Sequence, residues 1–237
     1  MKPGLLEQIK SRGYWRINFR PLTASIKLKT LQECKLLVER NSVLLRGWDY
    51  PHIPKRSDAD SDIDFCGEYV EGWADWSGYK EFWRIYKSAQ FLNYRALRED
   101  WYEQRDSLPV SSRSIKPGTA LIIIGSVIYE ITEVFEFLCR LAKQGIYEEG
   151  VIVKISLHNT QNRILVIEDP RRAPFDYPRK TGANEVVFSK TYTKSDILVN
   201  PKGLGTGVIL QIFDAFGWTT SSEFVDAEQV GLYSLRF

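Results

Sequence analysis

Apolar and polar residues alternate along Tyr14–Pro21 (YWRINFRP). Trp15, Ile17 and Phe19 fall on one side, and Arg16, Asn18 and Arg20 on the other. A period of two predicts a strand with one buried face. Thr30 stands three residues before Glu33, the spacing of a capping box, and Leu31, Cys34, Leu37 and Val38 then follow a helical period to about Asn41. Residues 43–54 (VLLRGWDYPHIP) read as a second strand that ends at prolines, so the first fifty residues read as β-α-β. Residues 55–64 form a polar, acidic loop, and 63–76 a strand. Residues 79–87 and 91–98 make an aromatic-rich hairpin across Ser88-Ala89-Gln90.

Residues 102–118 are polar, with two prolines and four serines in a short span, and mark a linker. Residues 121–124 are a short apolar run whose periodicity fits a buried strand or a helix start equally. Ile131, Val134, Phe135, Leu138, Leu141 and Ala142 carry a helix over 129–144, with Gly145 at its C-terminal end. Residues 150–159 and 163–168 read as a hairpin turning at Thr160-Gln161-Asn162. A proline-containing basic loop covers 169–182, a strand Glu185–Tyr192, and a short helix 207–216 closed by Gly217. The expected fold is therefore α+β, an aromatic-rich, mostly antiparallel sheet packed by two or three helices. The linker suggests a β-α-β-plus-hairpin subdomain over 1–101 and a helix-hairpin-helix subdomain over 119–237, or one continuous domain.

Composition adds three constraints. The 237 residues are 13% aromatic, with seven Trp, twelve Tyr and twelve Phe, which suits a sheet-rich core. The net charge of +2 does not by itself imply a nucleic-acid partner, but the charges are segregated. Residues 1–40 hold nine Lys/Arg against three Asp/Glu, and residues 57–75 hold seven acids and no base. The cysteines Cys34, Cys66 and Cys139 are odd in number, widely spaced and without a CxxC pair, as expected of free thiols in a reducing cytoplasm. No stretch has signal-peptide or membrane-span character, so a cytoplasmic protein away from the membrane is expected.

Four sets of residues carry candidate chemistry. Asp60, Asp62, Asp64, Glu68 and Glu71 match positions 1, 3, 5, 9 and 12 of a calcium loop, whose oxygens converge on a hard cation. The position that needs glycine is Phe65, and a solvated acidic loop explains the run as well. A divalent cation is the one cofactor under consideration. Gly203, Gly205 and Gly207 precede a helix and could present backbone N–H groups to a phosphate, although GxGxG is neither of the established phosphate-loop spacings. Arg16, Arg20, Arg46, Arg84 and Arg95 interleave with aromatic residues, and Arg171 and Arg172 sit in the basic loop. Together they are candidate nucleic-acid contacts by phosphate pairing and base stacking. Alternation weakens this reading, because a buried Trp15 puts Arg16 on the opposite face. Finally, Glu130 and Glu133 could pair their carboxylates or simply occupy a helix surface. The two histidines, His52 and His158, have no zinc spacing, no GxSxG elbow occurs, and no catalytic residue is assigned. His52, after Tyr50-Pro51, is the better-exposed histidine candidate for chemistry.

The phrases GYWRINFRP, RGWDYPHI, FWRIYKSAQFLNYRALRED and ITEVFEFLCRLA resemble a group of bacterial proteins of unassigned function. Similar modules occur in the same chains as Schlafen-type AlbA domains. The resemblance spans most of residues 13–145 and transfers no functional residue. It implies a bacterial protein near nucleic-acid or phage-defence machinery. The expectation is a non-catalytic binding or scaffold module with a protein partner, the alternatives being direct nucleic-acid binding and a metal-dependent enzyme using the acidic loop.

Overall fold

The computed structural model describes residues 1–23, 25–76, 78–101, 119–169 and 172–234. In chain order the elements begin with α1 (Leu5–Lys10), β1 (Tyr14–Pro21), α2 (Leu31–Asn41), β2 (Ser61–Cys66), β3 (Tyr69–Trp76), β4 (Tyr79–Tyr86) and β5 (Phe91–Ala96). After the expected linker, which lies outside the described residues, come β6 (Leu121–Ile123), α3 (Ile124–Lys143), β7 (Val151–His158), β8 (Ile164–Val166), β9 (Arg179–Lys180), β10 (Glu185–Tyr192), α4 (Lys194–Val199), α5 (Pro201–Ala215) and α6 (Ser222–Ser234). Seven strands form one antiparallel sheet in the order β10-β7-β1-β5-β4-β3-β2, and β6, β8 and β9 form a small second sheet. The fold is α+β. The large sheet draws strands from both sides of the linker, because β1 pairs with β5 on one edge and β7 on the other.

The alternation in β1 has the expected consequence. Trp15, Ile17 and Phe19 are buried on the core face, while Arg16, Asn18 and Arg20 point to the outer face. Helix α3 lies against the core face, with Phe137 meeting Phe91 at 4.9 Å, Tyr50 at 5.9 Å and Phe19 at 6.4 Å between ring centres. Fifteen of its twenty residues are buried, since α4, α5 and α6 cover its other side. Thr206 donates to Gln229, and Gln229 donates to Thr132, each at 3.0 Å, joining α5, α6 and α3 inside that layer. On the outer face the short α1 sets Leu5 and Ile9 over Tyr14, Trp73, Phe82 and Tyr94.

Several expectations require correction. Residues 43–54 do not form a strand. Gly47 takes a left-handed φ of 78°, which turns the chain, and only one bridge forms, between Val43 and Tyr50. Residues 63–76 are two strands, because the left-handed Gly67 opens a two-residue turn between Cys66 and Tyr69. Residues 150–159 and 163–168 are not a hairpin. Both edges of β7 are taken, by β1 and β10, so β8 pairs instead with β6 and β9. Helix α3 starts at Ile124, five residues earlier than the periodicity suggests. It lacks a Ser/Thr/Asp/Asn cap. Two carboxylates serve its first turn instead: Glu99 accepts from the Ile123 N–H at 3.3 Å, and Glu168 from the Gly125 N–H at 3.2 Å.

The glycine-rich segment is likewise not a loop. Pro201 occupies the first position of α5 and Asn200 caps it, accepting from the Gly203 N–H at 2.9 Å. Gly203, Gly205 and Gly207 are therefore helical, so the expected phosphate-binding loop does not form.

Candidate functional site

The loop over residues 43–54 carries the most unusual local chemistry in the chain. It is anchored from beneath by a line of alternating charges. Glu133 on α3 accepts from the Arg46 Nε at 3.0 Å and from its terminal nitrogen at 2.6 Å. The same guanidinium lies 3.2 Å from Glu130, one turn earlier. Glu130 in turn meets Arg95 of β5 at 3.0 Å, and Arg95 lies 3.8 Å from Glu81 of β4. The carboxylates of Glu81, Glu130 and Glu133 are all buried.

Burial raises the pKa of Glu81 and Glu133, against the pull of Arg95 and Arg46 respectively. Burial works against the Arg95 charge too, but Glu130, Glu81 and Glu133 outweigh it and hold its pKa above the ordinary value. Such a chain contributes little net stability over an apolar filling, yet it is costly to break at one link. Its structural effect is to tie the loop to α3, β4 and β5 at once.

Above this network stands a column of rings. Trp48 stacks on Tyr79 at 4.3 Å and on His52 at 4.2 Å, and Trp76 packs edge-on to both Trp48 and His52. Gly72 makes room for the neighbouring anchor. It sits directly across from Trp83, and a Cβ there would fall 2.4 Å from the indole. Trp83 uses that space to donate its Nε1–H to the His52 carbonyl at 2.7 Å.

His52 is held at nearly every polar atom. Its backbone N–H reaches Glu81 at 3.3 Å, its carbonyl receives Trp83, and its Nδ1 lies 2.6 Å from Asp49. The second Asp49 oxygen accepts from the Ile53 N–H at 3.0 Å. In the neutral ring, a carboxylate on Nδ1 fixes that nitrogen as the donor and leaves Nε2 with a free lone pair. His52, expected to be the better-exposed histidine, is 92% buried beneath the neighbouring rings, and among the described residues neither its Nε2 nor the Nε1 of Trp48 has a hydrogen-bond partner. Buried polar atoms are nearly always paired, and these two are among seven buried side-chain atoms of the described residues that are not.

Both residues line a hollow of about 550 Å³, together with Leu44, Gly47, Ser61 and Trp76, and with Lys55 and Arg56 at its rim. A smaller cavity of about 120 Å³ shares Trp48 and reaches the Arg46–Glu130–Arg95 charges. The Ser61 hydroxyl is 3.3 Å from Asp58 and 3.4 Å from the Arg56 carbonyl, both acceptors.

The arginines expected to form one nucleic-acid face are divided. Arg46 and Arg95 are consumed by the buried charge line. Arg84 pairs with Glu71 at 2.7 Å, and Arg172 with Asp169 and Glu228. Arg171 lies outside the described residues. Arg16 and Arg20 remain on the outer sheet face. The rings on that face are not open for base stacking, because Tyr14 and Tyr94 are 8% and 9% exposed beneath α1.

The acidic run does not wrap a cation. Asp62 and Asp64 lie on β2 and Glu71 on β3: Asp60 faces Lys2, Asp62 accepts from the Ile63 N–H, Asp64 accepts from the Trp73 indole, Asp64 and Glu71 share the Met1 amino group, Glu68 faces Lys87, and Glu71 also pairs with Arg84. Among the described residues no group of three or more His, Cys, Asp or Glu side chains is placed to hold a metal ion. Glu130 and Glu133 are not a solvated helix surface, as the spacing alone allowed, but the anionic half of the charge line. Comparison of the chain with known protein families, curated proteins and solved structures yields no match.

Proposed function

We propose that the protein is a binding module whose recognition site is the hollow walled by Leu44, Trp48, His52 and Trp76. One observation carries this reading: His52 is fixed through its backbone, its Nδ1 and its ring face, and only Nε2 is left for a group from outside. Ligand sites combine apolar and aromatic walls with a few placed polar atoms, within the size range of this hollow. The complementary ligand presents a flat or apolar group with one hydrogen-bond donor for Nε2. The group is the exposed end of a protein partner or a small molecule. A setting in bacterial nucleic-acid or phage-defence machinery, which the sequence resemblance implies, belongs to this proposal.

The test is a fragment titration followed by NMR on ¹⁵N-labelled protein, using matched phenols and their methyl ethers. The phenols are expected to shift the Trp48 indole N–H and the His52 ring signals, and the ethers to do so weakly. Leu44→Arg, at an exposed position on the wall, should abolish both. Equal response to ethers and phenols, or shifts that persist in Leu44→Arg, would count against the proposal.

A further inference from the structure

A second group of unpartnered atoms lies away from the hollow, on the outer face of β1 and β7. In the register of these strands Arg16 faces Ser156, Asn18 faces Lys154, Tyr14 faces His158 and Arg20 faces Ile152. Ser156 is 99% buried, and among the described residues its hydroxyl has no hydrogen-bond partner. The same holds for the buried Nε of Arg16, while the Nε2 of His158 has Glu185 3.5 Å away. Ser156 and Arg16 are paired across the two strands, although buried groups of this kind are normally satisfied.

The charges around them are of one sign. Burial lowers the pKa of His158, and Arg16, Lys154 and Lys10 lower it further, with Glu185 alone opposing at 3.5 Å from Nε2. Lys10 and Arg16 both sit over the Tyr94 ring, at 5.5 and 5.7 Å. Among the described residues Lys10, Arg16, Arg20 and Lys154 have no carboxylate in ion-pair contact, in contrast to Arg46, Arg84, Arg95 and Arg172. Like charges on neighbouring strands repel, and Glu185, beside His158, is the one carboxylate near them among the described residues.

We infer that this patch binds the phosphate groups of an extended single-stranded nucleic acid, with Lys10, Arg16, Arg20 and Lys154 along the backbone and the Ser156 hydroxyl donating to one phosphate oxygen. The patch is elongated rather than pocket-like: Arg16 and Arg20, four residues apart on one strand, are separated by ~13 Å. That length suits successive phosphates better than one ion. The covered Tyr14 and Tyr94 leave no ring for bases to stack on, so binding is indifferent to sequence. This surface shares no residue with the hollow, and the two stand or fall separately.

The experiment is fluorescence anisotropy of labelled oligothymidylate of twenty nucleotides with the full chain, across a salt series. Four phosphate contacts on a single strand give a slope of log affinity against log salt of about −2.8. The double variant R16Q/K154Q should bind at least tenfold more weakly, with a slope shallower by about 1.4. Lys143→Gln, on the far end of α3, should bind as the unaltered protein does, and thermal melts verify that all variants fold. No binding at low salt, or equal loss in Lys143→Gln, would overturn the inference. Two competitors test the identity of the ligand. Poly-glutamate of matched charge displacing the oligonucleotide as well as unlabelled oligothymidylate does, or inorganic phosphate doing so at equal phosphate concentration, would overturn the nucleic-acid assignment.

Discussion

Arg95→Met severs the charge line between Glu130 and Glu81. Methionine fills much of the same volume without charge, so the perturbation is chiefly electrostatic. Glu130 keeps Arg46 at 3.2 Å, but Glu81 loses its one ion-pair partner and retains only the Asn93 amide at 2.9 Å and the His52 N–H at 3.3 Å. Stranding a buried carboxylate in this way costs about 3–5 kcal/mol. For a chain of this length that is a fall in Tm of roughly 6–20 °C.

Glu81→Gln in the Arg95→Met background removes the stranded charge and should recover more than half of the loss. The pH dependence has a definite sign. Without Arg95 the Glu81 carboxyl has a folded pKa still further above its unfolded value, so the folded state binds the extra proton. Its contribution is favourable at low pH and is lost as pH rises through the folded pKa. The deficit of Arg95→Met relative to the unaltered protein should therefore shrink between pH 8 and pH 5. Urea denaturation at both pH values measures it. A loss below 1 kcal/mol, or a deficit that grows on acidification, would refute the electrostatic account.

Three further outcomes follow from local packing. Gly72→Ala drives a methyl into the Trp83 indole and should cost about 1–3 kcal/mol, with faster amide exchange at His52 because Trp83 holds its carbonyl. Thr30→Ala removes the α2 capping box and should cost about 1 kcal/mol by denaturant titration, while Thr30→Ser should be close to neutral. Cys34 is buried with its thiol pushed up to about 11 by burial, Cys139 is buried with its thiol raised, and Cys66 is half-buried. Ellman's reagent at pH 8 should therefore label one thiol per folded chain, and three after unfolding.

Strand β1 is legible in the sequence because a buried face imposes a period of two, and the β4–β5 hairpin because aromatic-rich runs flank Ser88-Ala89-Gln90. The capping box of α2 was legible for the same local reason. What was not legible is non-local. Glu130, Glu133, Arg46 and Arg95 were each noticed, but the pairing joins residues 35 to 87 positions apart in the sequence, and a chain of isolated charges reads as surface. Strand β8 looked like the second arm of a hairpin because nothing in residues 159–163 announces that both edges of β7 are occupied. His52 was flagged as the better of two histidines, but not Asp49 beside it, although an acid three residues before a histidine in a proline-rich loop is a signal that could have been used. The outer-face arginines Arg16 and Arg20 were found, while Lys154 and Ser156 were missed, since only the β1–β7 register brings them alongside.

Crystals of the protein soaked with a phenol that gives the NMR response would test the central claim most directly. The account predicts the ring seated in the hollow between Leu44 and Trp76, with its hydroxyl about 2.6–3.2 Å from Nε2 of His52. A fragment bound elsewhere while the hollow stays vacant, or an Nε2 already paired with a protein atom, would contradict it.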